Sequence, residues 1–148
     1  MKALIIGWGN SLRGDDGIGL KVADLLERRK VQADIRRSLQ LLPEMCEEIS
    51  RASQVIFIDA SLTAAPGEIT VEELQAGKTD LLDFSSHSLT PQALLDGALT
   101  LYGRAPKALI CGIGANQFEG TSLSNQLLAA ADEAAALIAK LLADTEDQ

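Results

Sequence analysis

No stretch of this 148-residue chain approaches the roughly 18–20 uninterrupted apolar residues that a membrane-spanning helix needs, so no such helix is expected. Met1-Lys2 leads straight into a strand-like run without a signal peptide, and a cytoplasmic protein is expected. Basic residues are scarce: 13 Lys and Arg stand against 21 Asp and Glu, a formal net charge of −8. Such a surface repels nucleic acid and anionic membrane and favours a cationic or metal-bearing partner. There are two cysteines, Cys46 and Cys111, with no C-x-x-C spacing, which excludes a redox pair or zinc site built on that motif. Buried reduced thiols are expected; a Cys111 nucleophile paired with His87 is the minor alternative, because Ala108-Leu109-Ile110-Cys111-Gly112 reads as strand core. No internal repeat, linker or G-x-S-x-G nucleophile elbow occurs, and the serines of Phe84-Ser85-Ser86-His87-Ser88 are read as shaping a loop rather than serving a Ser-His-Asp hydrolase.

What is present is an ordinary globular composition, 47% apolar and 23% charged, long enough for one domain over residues 1–143 with an acidic, frayed tail at 144–148. The continuous apolar run in 2–6 is ended by glycine, as a strand buried on both faces would be, 54–60 is the clearest strand, and 107–113 gives the last. A weaker strand over 33–36 suits an edge, and 67–74 alternates like a strand exposed on one face, a pattern open to an antiparallel orientation. Between them, helical spacing predicts helices over 17–30, from Pro43 through Ile49, from Pro91 to about Tyr102, and over 123–142. Alternating strands and helices imply a single-domain three-layer α/β/α sandwich with a mostly parallel central sheet of about five strands.

The most informative segment is Gly7-Trp8-Gly9-Asn10-Ser11-Leu12-Arg13-Gly14-Asp15-Asp16-Gly17-Ile18-Gly19, a glycine-rich loop between the first strand and its helix. Such loops normally cradle phosphate, because free backbone N–H groups and the helix dipole attract anions. Here Asp15 and Asp16 already occupy the anion's place, Leu12 replaces the third glycine of the dinucleotide pattern, and Asp15-Asp16 replace the Lys-Ser/Thr of a P-loop. No nucleotide cofactor is expected. In open α/β sheets ligands bind beyond the carboxyl ends of the strands, a rule that selects Asp16, Asp59 and the only histidine, His87. Two carboxylates and one imidazole make a partial shell for a borderline divalent ion such as nickel, zinc or iron. The bland alternatives are a helix-terminal Asp16, a turn-capping Asp59 and an exposed loop His87. Trp8, between two glycines, suits either the wall of the crevice or a core anchor.

With these residues in view, the chain resembles the hydrogenase maturation proteases, endopeptidases that trim the C-terminal extension of the [NiFe] hydrogenase large subunit. Residues 7–19 look like the family's G-x-G-N-x-L-x-x-D-(D/E)-G-x-G opening, Val55-Ile56-Phe57-Ile58-Asp59-Ala60 like its second acidic strand end, and Ser86-His87-Ser88 to Pro91 like its histidine loop. The resemblance implies metal contact at Asp16, Asp59 and His87, with nickel supplied by the large-subunit precursor as a sign of maturity, and Asp16 or Asp59 as general base. Asn10, Gln40 and Trp8 are expected to contact substrate. Leu39-Gln40-Leu41-Leu42-Pro43-Glu44 departs from the Asp-Gly-Gly-Thr-like stretch of many members and is closer to a Gln-x-x-Pro-Glu variant, so the role of that aspartate does not transfer. The rival implied function is a metal-binding maturation chaperone without peptidase activity.

Overall fold

The structure, a computed structural model, describes residues 1–77 and 89–146. Five strands, β1 (Ala3–Trp8), β2 (Ala33–Ser38), β3 (Gln54–Ser61), β4 (Ile69–Leu74) and β5 (Lys107–Gly114), form one sheet in the order β2-β1-β3-β5-β4. The first four strands in that order pair in parallel and β4, which starts at Ile69 rather than Gly67, runs antiparallel to β5, the orientation that the alternation in 67–74 left open. The weak strand β2 lies at one edge, where a run as polar as Ala33-Asp34-Ile35-Arg36-Arg37-Ser38 can leave one side to solvent.

Helices α1 (Ile18–Arg28), α2 (Met45–Ser50), α3 (Pro91–Tyr102) and α4 (Asn125–Glu146) complete three layers. The two-residue period of β3 sorts them: Ile56 and Ile58 pack with Ile18, Val22 and the α4 alanines Ala131 and Ala134, whereas Val55 and Phe57 pack with Met45, Ile49, Leu94 and Leu95. Full burial of each of these larger apolar side chains contributes roughly 1.5–3 kcal/mol. Cys111 falls in the first layer and Cys46 in the second, on opposite faces of the sheet.

Five helix boundaries correct the sequence reading. The first helix is preceded by a separate 3-10 turn, Gly14–Gly17, and ends at Arg28 rather than Lys30, because Lys30 turns out at φ +56°. Pro43 lies in the turn before α2, where Met45 and Cys46 donate to the carbonyls of Leu42 and Pro43 in 3-10 fashion. At α4 the first helical residue is Asn125, since Ser124 is held outside by Asp15. That helix passes the expected end at Leu142 and continues through Asp144 and Thr145, whose hydroxyl donates to the Leu141 carbonyl. For α3 the expected signals hold: Thr90 Oγ1 accepts from the Ala93 amide, Pro91 takes the first helical position, and Gly103 closes the helix at φ +77°. No helix among the described residues is long and apolar enough to cross a membrane.

Candidate functional site

Parallel order puts the carboxyl ends of β1, β2, β3 and β5 on one side of the molecule, and the glycine-rich loop folds over them. Two glycines make that approach possible. Gly9 leaves β1 at φ +146°, and a Cβ there would lie 2.0 Å from the Asp16 carbonyl oxygen. A Cβ at Gly19 would lie 2.5 Å from the Ile58 carbonyl oxygen and 2.7 Å from that of Trp8. Only glycine lets the first turn of α1 rest on the ends of β1 and β3.

Within this loop the adjacent aspartates separate. Successive residues of a 3-10 turn point about 120° apart, so Asp15 and Asp16 face different surroundings. Asp15 is fully buried; its carboxylate accepts from the amides of Asn116, Gln117 and Ser124 and from the Ser124 hydroxyl, at 2.8–3.2 Å. Burial alone would raise its pKa, but these four donors outweigh it and hold the group below the ordinary carboxylate value. Asp15 therefore ties the loop between β5 and α4 to the loop after β1. This anchor was not separable from its neighbour in sequence.

Asp16 faces the other way. Its Oδ2 accepts from the Asn10 amide at 2.9 Å, and Asn10 Oδ1 in turn accepts from the Leu12 amide at 2.9 Å. The carboxylate reaches a cleft of about 480 Å³ lined by Arg13, Asp16, Asp59, Ala60, Leu62 and Phe118. Asp59, near the end of β3, is half-buried, and its pKa is pushed up to about 6. Burial is the main cause; the Ala60 amide opposes it and the nearby negative charge of Asp16 adds to it. Two carboxylates from different strand ends thus share one cleft, and Arg13 is the one cationic side chain among its described lining residues.

Of the remaining predicted residues, Trp8 and Gln40 are not among the described residues lining this cleft. Asn10 borders it as the positioner of Asp16, through its backbone amide. Trp8 packs edge-on against Phe57, ring centres 6.2 Å apart, in the layer of α2 and α3. Gln40 is exposed just after β2, its carbonyl accepting from Ser38 Oγ at 2.6 Å. His87 lies outside the described residues. Among the described residues no three His, Cys, Asp or Glu side chains cluster as a metal site, so Asp16 and Asp59 stand as a pair. Neither thiol suits a nucleophile: both are buried, and burial raises the pKa of Cys46 and pushes that of Cys111 up to about 11. Arg13, Leu62 and Phe118 were missed as cleft residues, although the strand-end rule that selected Asp59 applies equally to the segments after β3 and β5. Hollows of about 310 and 320 Å³ at the opposite end of the sheet surround Lys2, which pairs with Asp34 at 3.5 Å.

No family model matches the chain, and no curated protein matches it. Solved structures do. The hydrogenase maturating endopeptidase HybD from E. coli superposes with a TM-score of 0.77 at 22% identity, over 98% of this chain and 94% of that one. The [NiFe] hydrogenase maturation protease HycI from Thermococcus kodakarensis gives 0.72 at 24% identity, over 95% and 92%. The hydrogenase 2 maturation peptidase from a Thaumarchaeota archaeon gives 0.70 at 23%, over 96% and 98%. The chain has the hydrogenase maturation endopeptidase fold. Both chains are covered almost completely in these matches, and the expected three-layer α/β/α architecture with its five-stranded, mostly parallel sheet holds for the described residues.

Proposed function

We propose that this protein belongs to the hydrogenase maturation proteases and is an endopeptidase that removes the C-terminal extension of a nickel-loaded [NiFe] hydrogenase large-subunit precursor. The observation that carries the reading is the convergence of Asp16 and Asp59 on one cleft at the strand ends, in a fold otherwise seen in structures described as hydrogenase maturation endopeptidases. The resemblance of residues 7–19 to the family's opening motif supports it independently of the fold.

In this reading the nickel arrives with the substrate and is contacted by Asp16, Asp59 and His87. A half-buried pair of carboxylates suits a divalent cation, because a positive charge between them relieves the desolvation and mutual repulsion that raise Asp59. An ion there polarises the scissile carbonyl or an attacking water. Asp59, held at about 6 before the ion arrives and lowered by its positive charge, acts as the general base: it takes a proton from the water and returns it to the leaving amine. Asp16, held by the Asn10 amide, positions the metal-bearing segment against it.

The test is to incubate the purified protein with the unprocessed large subunit, with and without nickel, and to read the large subunit by intact mass. Loss of one C-terminal peptide from the nickel-loaded form alone is expected. Asp16→Asn is expected to abolish processing with an unchanged circular dichroism spectrum, since Asn can still accept from the Asn10 amide. Processing by that variant at the wild-type rate would refute the assignment. Tight nickel or precursor binding without any mass change would instead make the protein a maturation chaperone.

A further inference from the structure

A second cavity of about 380 Å³ adjoins the carboxylate cleft and shares Asp59, Ala60 and Leu62 with it. Its floor is defined by strand register. Asp59 of β3 lies opposite Gly112 of β5, which lies opposite Thr70 of β4; two residues earlier along β5, Ile110 lies opposite Glu72. Partners in register share a face, so Asp59, Ile110, Thr70 and Glu72 line one groove across three strands.

Gly112 is the informative residue. A glycine inside a strand marks either close backbone packing or a place where something else approaches. For Gly114, two residues on, the reason is internal: a Cβ there would lie 1.8 Å from the Ala65 carbonyl oxygen. At Gly112 no backbone atom of the described residues stands in the way. Among the described residues a Cβ would meet the side chains of Thr70, at 3.0 Å, and Ser61, at 3.5 Å, both of which line the groove. The missing side chain keeps the floor low beside Asp59. Charge supplies the second constraint. Glu72 forms no ion pair among the described residues, and no Lys or Arg stands among the described residues lining the groove.

We propose that this groove receives the substrate chain in extended form, and that Glu72 selects a cationic side chain within it. The inference rests on the endopeptidase reading and names a specificity residue for it. Two strand spacings and a two-residue offset separate Asp59 from Glu72 by about 12 Å, so the selected side chain lies about three or four residues from the bond at Asp59.

The test reads binding without turnover. The 15N-labelled protein is titrated with the acetylated, amidated peptide Ala-Ala-Arg-Ala-Ala and with its Glu-centred counterpart, following backbone amides by NMR. Saturable shifts at Ser61, Thr70 and Gly112 with the Arg peptide are expected. Kd is expected to be about three- to fivefold weaker for the Glu peptide and for the Arg peptide on Glu72→Gln, whose own spectrum reports its folding. No saturable shift at these amides would overturn the groove; equal affinity for both peptides, or an unchanged Kd in Glu72→Gln, would overturn the selection by Glu72. Because precursor processing is measured separately, a silent groove in a protein that cleaves the precursor defeats this inference alone, and a binding groove in a protein that cleaves nothing defeats the endopeptidase reading alone.

Discussion

Replacing Asp59 by Asn is expected to make the metal-free protein more stable at neutral pH while removing its activity. The folded protein holds this carboxyl at about 6 against an ordinary value of 3.8, mainly because burial penalises the charge. A folded-state pKa above the unfolded one means the native state binds more protons between those values, so stability falls as pH rises from about 4 to about 6 and the penalty is complete above about 7. A shift of about 2 pKa units corresponds to about 2–3 kcal/mol. Asn is nearly isosteric with the protonated acid and keeps an oxygen for the Ala60 amide, so it escapes the penalty without leaving a donor unpaired. Urea unfolding of wild type and Asp59→Asn in EDTA, from pH 4 to pH 8, measures the difference directly. The two proteins should match at pH 4 and diverge by about 2–3 kcal/mol at pH 8, with the Asn variant the more stable. A pH-independent difference, or an Asn variant weaker than wild type at pH 8, would refute the burial argument and with it the reason for placing Asp59 near neutrality.

Asp15→Ala is expected to destabilise the protein by about 3–5 kcal/mol, measured by urea unfolding at pH 7, because it leaves the amides of Asn116, Gln117 and Ser124 without their acceptor. The lowered pKa of Asp15 adds that its contribution is present above an unfolded value near 3.8 and is lost as pH falls through the still lower folded value. Gly9→Ala should cost about 2 kcal/mol or more and abolish precursor processing, since its Cβ meets the Asp16 carbonyl oxygen and Asp16 must shift; wild-type processing by a folded Gly9→Ala would show that the loop tolerates movement. A thiol reagent such as DTNB at pH 7.5 should leave both buried cysteines unreacted in the native protein and titrate two after unfolding; rapid native reaction at Cys111 would contradict its raised pKa.

By itself, the sequence determined the layers and most of the sheet. Short β-branched apolar runs such as Val55-Ile56-Phe57-Ile58 read as strands covered on both faces, the polar run at 33–38 belongs at an edge, and helical spacing accounts for the four α-helices of the described residues to within a few residues. It also singled out Asp16 and Asp59, because the strand-end rule depends on element order alone. Tertiary structure decided what local pattern does not encode. Asp15 and Asp16 are adjacent and chemically identical, and only the partners at residues 116, 117 and 124 make one an anchor and leave the other to the cleft. The raised pKa of Asp59 arises from burial and from Asp16, 43 positions away, and the groove over Gly112 arises from the register of three strands. Periodicity records which face a residue presents, since that depends on its neighbours in the chain; which residues meet on that face depends on contacts between distant segments, and those form only when the chain has folded.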